Sequence, residues 1–135
     1  VMKVIPIDAS AGISGFESPA AEYKQLELSL DELLVEHPGA TWLGRAAGDS
    51  MQGVGIFDGD LLIIDRAVIA RNHDVVVANL NGEFVCKLID MSRRLLLSAN
   101  ADMPPVPVSG HDAFTLEGVV VRSIRCHRAS YLLEE

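Results

Sequence analysis

Ser50 and Lys87 are the residues of this 135-residue chain whose types and spacing suit chemistry. Ser50 sits in a glycine-rich turn, Gly48-Asp49-Ser50-Met51, with Gly53, Gly55 and Gly59 beyond it. Glycines let a backbone pass close to a ligand. A serine in such a turn can expose its hydroxyl while neighbouring N–H groups stabilise a developing oxyanion, and the Ser50 and Met51 amides are the candidates. Lys87 follows 37 residues later in an apolar run, Val85-Cys86-Lys87-Leu88-Ile89. Desolvation disfavours an ammonium, so a lysine in apolar surroundings can shed its proton and act as a general base. Each residue alone has a plainer reading. Ser50 suits a turn or a helix cap, and Lys87 suits a buried stem with its head in water. As a pair they suggest a serine nucleophile activated by a lysine.

Other chemistries find little support. His37, His73, His111 and His127 follow no metal-ligand spacing, and none stands near Ser50 in an obvious triad order. No glycine-rich phosphate loop is present, so no cofactor and no metal are expected. Asp58 and Asp60 read as turn residues. The net charge of -8 repels a phosphate backbone, so direct DNA binding is not expected. Arg122, Arg125 and Arg128 form a local basic cluster, read as a solvated edge or a partner contact. Cys86 and Cys126 both lie in apolar stretches and read as reduced core residues. The sequence shows no signal peptide and no run of the ~18 apolar residues that a membrane helix needs. A soluble, cytoplasmic protein is the expectation.

The elements that would position the pair are short strands. Asn81-Gly82 is the strongest hairpin signal in the chain, between runs at 74–80 and 83–89. A two-residue turn there sets Leu80 opposite Glu83, Ala78 opposite Val85 and Val76 opposite Lys87. Alternation then surrounds Lys87 with Val76, Ala78, Val85 and Ile89 on its own face. Further strands are predicted at 41–47, 61–65, 94–98 and 114–125, with Met103–Pro107 as a loop. Ser29-Leu30-Asp31-Glu32 is a capping-box pattern that opens a short helix of roughly two turns, ended near Pro38. Residues 1–28 form a flexible arm rich in small residues, glycine and proline, ahead of a domain over 29–135. The whole is mainly β, compact, with mostly antiparallel strands.

Several separated blocks, in order, resemble the LexA/UmuD group of self-cleaving peptidases. They are Gly48-Asp49-Ser50-Met51, Asp58-Gly59-Asp60-Leu61-Leu62-Ile63, and Gly82-Glu83-Phe84 leading to Lys87. Upstream, Gly15-Phe16-Glu17-Ser18-Pro19-Ala20-Ala21-Glu22-Tyr23 is similar to the segment after the scissile bond of UmuD-type SOS mutagenesis proteins, and Leu33–Pro38 is similar to their helix end. The resemblance runs from about residue 15 to 125.

The resemblance implies a Ser/Lys dyad on a largely β fold, with Ser50 as nucleophile and Lys87 as general base. It implies autoproteolysis at Ser14-Gly15, where Ser14 replaces the Cys or Ala usual before that glycine. It further implies homodimers, stimulation by a RecA filament on single-stranded DNA, and a shortened product that joins an error-prone, UmuC-like Y-family polymerase in translesion synthesis. No helix-turn-helix pattern precedes the arm, so operator binding is not expected. The rival readings are a signal-peptidase-like Ser/Lys protease acting in trans and a non-enzymatic protein-binding module.

Overall fold

The computed structural model describes residues 29–129. The expected arm over 1–28, with its Ser14-Gly15 bond, lies outside the described residues. The chain divides into two compact units, Val1–Glu36 and His37–Glu135.

In the first unit, Ser29 caps helix α1 (Leu30–Leu34). Its Oγ accepts the Glu32 N–H at 3.2 Å, the N-cap half of the capping box read from the sequence, and donates to Glu32 Oε1 at 3.3 Å in place of the reciprocal backbone bond. The helix has five residues, shorter than the predicted two turns. Val35 already adopts an extended conformation. Pro38 then bars a helical conformation at His37 and opens a 3₁₀ turn, Pro38–Ala40.

The second unit is built on strands. These are β1 (Thr41–Arg45), β2 (Leu61–Asp65), β3 (Val75–Leu80), β4 (Glu83–Asp90), β5 (Leu95–Leu97), β6 (Val106–Pro107) and β7 (Phe114–Ile124). They form one sheet in the order β1-β2-β7-β3-β4-β5-β6, with every neighbouring pair antiparallel. Strand β6 lies inside the predicted 103–107 loop. Its two residues pair with β5, and Pro107 is tolerated at the sheet margin because, among the described residues, no further strand needs its missing N–H.

The β3–β4 hairpin has the register read from the sequence: Leu80 faces Glu83, Ala78 faces Val85 and Val76 faces Lys87. Asn81 and Gly82 turn the chain with φ of 53° and 89°, the left-handed pair that a type I′ turn requires. Asn79 Oδ1 accepts the Gly82 N–H at 2.9 Å and holds the turn closed.

Alternation along β3 divides the apolar side chains between two clusters. Val77 joins Ala46, Met51, Ile56, Leu62 and Ile64. Val76 joins Ala70, Ile89, Leu96 and Val119. Each fully buried aliphatic side chain contributes about 1.5–3 kcal/mol of transfer free energy.

Strand β7 bridges β2 and β3 and carries a bulge toward each. Gly118 sits at the β3 bulge with φ 156°, and a Cβ there would stand 2.7 Å from Ile64 Cγ2. Only glycine lets the strands approach this closely. Cys126, read as a core residue, is exposed; it follows the end of β7, where no strand pairing among the described residues covers it. Both cysteines are free thiols.

Candidate active site

Ser50 and Lys87 line the same cleft, a cavity of about 380 Å³. Strand β1 supplies Trp42, Gly44 and Arg45 to one wall, and β4 supplies Glu83 to Lys87 to the other. Among the described residues, both are open strand edges here. Strand β1 ends the sheet, and β5 pairs β4 only from Leu88 to Asp90. The floor is apolar, with Met51, Ile56, Leu62, Ile64 and Val77.

The Ser50 turn is held by glycines and by Asp58. Gly48 takes φ 85°, and its N–H donates to Asp58 Oδ1 at 2.8 Å, so Asp58 does act as a turn residue. Met51 is buried and anchors the turn in the core, while Ser50 stays half-buried at the cleft. Among the described residues, no backbone hydrogen bond is donated by the Ser50 and Met51 N–H groups. Such an N–H pair beside a serine is the type of donor set that an oxyanion hole uses.

Lys87 is half-buried on the face of Val76, Ala78, Val85 and Ile89, and the first two are fully buried. Its Nζ donates to Ser98 Oγ at 2.8 Å. Among the described residues, no hydrogen bond joins it to Ser50. The sequence pointed to neither Ser98 nor this contact. Ser98 follows β5 directly, and its position opposite Lys87 continues the Leu88–Leu97 register by one step.

Two residues read as ordinary prove structural. Asp60 is buried, and Arg125 grips both of its carboxylate oxygens at 2.9 Å. The same guanidinium donates to Gly55 O and lies 4.1 Å over the Phe57 ring. The pairing with Arg125 holds the Asp60 carboxyl below its usual range against the opposing effect of burial. Arg125 thus ties the end of β7 to the loop that follows Ser50.

Cys86 also lies on the cleft wall. Burial pushes its thiol up to about 11, so it stays protonated near neutrality and is a poor nucleophile. Trp42 Nε1 is buried without a partner among the described residues. Among the described residues, no cluster of three His, Cys, Asp or Glu side chains can hold a metal ion. None of the described helices is long and apolar enough to cross a membrane.

The mainly antiparallel β sheet thus carries a cleft lined by a serine and a lysine. The peptidase S24-like family matches residues 3–121, and the chain belongs to that family, the LexA/UmuD group of self-cleaving peptidases. It is 36% identical to Protein ImpA of Escherichia coli over 129 residues, covering 96% of this chain and 88% of that one. It is 38% identical to Protein MucA of Salmonella typhimurium over 116 residues, covering 84% and 80%. The LexA repressor of Bordetella petrii is 39% identical over 109 residues, covering 78% of this chain and 48% of the repressor.

Proposed function

We propose that this protein is a self-cleaving serine endopeptidase of the SOS response, with Ser50 as nucleophile and Lys87 as general base. The observation that carries the reading is that both residues line one cleft, beside two N–H groups with no backbone acceptor among the described residues. The edges of β1 and β4, unpaired among the described residues, suit an extended peptide.

The substrate is the chain's own Ser14-Gly15 bond. The Lys87 amine takes the proton of Ser50, and Ser50 Oγ attacks the Ser14 carbonyl carbon. The Ser50 and Met51 N–H groups receive the oxyanion. Collapse breaks the bond to Gly15, whose nitrogen takes the proton back from Lys87 as it leaves. Water, deprotonated by the same amine, then releases Ser14 from the acyl-enzyme. Tethering the bond to the enzyme gives an effective concentration of about 10⁵ M or more when aligned, so the cleft needs little intrinsic affinity.

Cleavage is stimulated by a RecA filament on single-stranded DNA. The shortened form, a cytoplasmic homodimer, joins a UmuC-like Y-family polymerase. The net charge of -8 suits protein partners over direct DNA contact.

Incubation of the purified chain at alkaline pH, where lysine amines are more often neutral, tests the proposal by fragment mass. Two fragments meeting at Ser14-Gly15 are expected, and Ser50→Ala and Lys87→Ala each abolish them. Cutting by Lys87→Ala at the normal rate defeats the dyad, and fragments meeting elsewhere move the bond.

A further inference from the structure

We infer that Ser98 is a positioning residue for Lys87, and that the segment Ser98-Ala99-Asn100 sets the base against the nucleophile's turn. The inference rests on the Ser50/Lys87 reading above.

Three consecutive residues reach both halves of the pair. Ser98 Oγ accepts from Lys87 Nζ at 2.8 Å. The Ala99 carbonyl accepts the Gly53 N–H at 2.6 Å. Asn100 Nδ2 donates to the Asp49 carbonyl at 3.1 Å, one residue before Ser50. The middle contact is close enough to dictate a glycine. A Cβ on Gly53 would stand 2.5 Å from Ala99 O. The segment is itself anchored at both ends. Leu96 is buried in the core two residues upstream, and Asn100 Oδ1 accepts the Asp102 N–H at 3.0 Å.

This arrangement answers a problem inherent to a lysine base. A neutral amine has two N–H bonds and one lone pair on a stem with four rotatable bonds. Free rotation spreads the lone pair over many directions. In the Ser98 contact the amine donates, which uses an N–H and leaves the lone pair available to Ser50. Removing the acceptor releases the amine without removing the base.

The test compares Ser98→Ala, Ser98→Val and Ser98→Thr in the full chain, beside Ser50→Ala and Lys87→Ala. Self-cleavage at alkaline pH and thermal midpoint are both measured. Threonine and valine have the same shape and differ in the hydroxyl. Ser98→Ala and Ser98→Val are expected to cleave about 10²-fold more slowly, the loss typical of a misplaced catalytic group. Ser98→Thr is expected to recover most of the rate. Equal rates for Ser98→Thr and Ser98→Val overturn the inference, because a packing or folding defect affects both alike. Wild-type cutting by Ser98→Ala while Lys87→Ala is dead also overturns it and leaves the dyad standing. Wild-type cutting by Lys87→Ala defeats the dyad itself, and the role of Ser98 falls with it.

Discussion

Asp60 and Arg125 meet in a two-pronged ion pair, with Nε on one carboxylate oxygen and Nη2 on the other, both at 2.9 Å. Asp60 follows the Ser50 turn and Arg125 follows β7, so the pair closes the loop from 48 to 60 against the sheet. Asp60 also accepts the Phe57 N–H at 2.8 Å, and its own carbonyl accepts the Ala46 N–H.

Arg125→Ala is therefore expected to destabilise the fold, because it strands a buried carboxylate. Arg66→Ala is the control. Arg66 pairs with Glu117 at 2.8 Å but is largely exposed, and such pairs contribute about 0–1 kcal/mol. Thermal denaturation should lower the midpoint of Arg125→Ala by several degrees and leave Arg66→Ala near the wild type. Equal shifts would contradict the structural role of Asp60.

Acid should unfold the protein through its depressed carboxylates. His37 Nδ1 lies 2.6 Å from Asp65 Oδ2, and this bond is the main cause that holds the Asp65 carboxyl below the ordinary 3.8. The Ala67 N–H adds to it, and burial opposes it. Asp60, Asp90 and Asp112 are likewise lowered, chiefly by Arg125, the Arg93 backbone and the Asn81 side chain. A lowered folded value contributes stability above the unfolded pKa, and that stability is lost as pH falls through the folded one. His37→Ala removes the main lowering cause and leaves burial in place. Its acid transition, followed by circular dichroism, should move to higher pH than that of the wild type.

Gly53→Ala should damage both stability and self-cleavage. The added methyl meets the Ala99 carbonyl at 2.5 Å, a backbone atom that cannot swing away. Overpacking of this kind costs about 1–3 kcal/mol. Relief of the clash must move Ser50 or the segment holding Lys87. Gly39→Ala has nothing within 4 Å of its new atom and should be nearly silent in the same denaturation and cleavage assays.

The two thiols should differ in reactivity. Cys86 is half-buried with its thiol pushed to about 11, while Cys126 is exposed. Iodoacetamide on the native protein at neutral pH should label Cys126 first and Cys86 only on unfolding, as peptide mass mapping would show. Rapid labelling of Cys86 would mean an ionised thiol in the cleft.

The local elements were legible in the chain because short-range physics decides them. Asn81-Gly82 dictates a type I′ turn, and the turn dictates that Val76 faces Lys87. The Ser29 side chain accepts the Glu32 N–H three residues on, so the helix start needs no tertiary help. Ser50 and Lys87 were readable as candidates from residue type, a polar pair set among glycines and apolar runs. The end of the helix and the extent of β1 were misjudged by a few residues, since fraying ends have weak local signals.

Tertiary structure alone decided the rest. The order β1-β2-β7-β3-β4-β5-β6 sets two edges, open among the described residues, around one cleft, and no local pattern encodes which strand finds which neighbour. Ser98 is an unremarked serine until β5 brings it to Lys87, and Asp60 is a turn residue until Arg125 closes on it from 65 residues away. Such contacts become favourable only after the core has excluded water around them, because a lone polar pair in solvent gains almost nothing. The residue types named the chemistry; the burial that makes their hydrogen bonds selective came from the folded sheet.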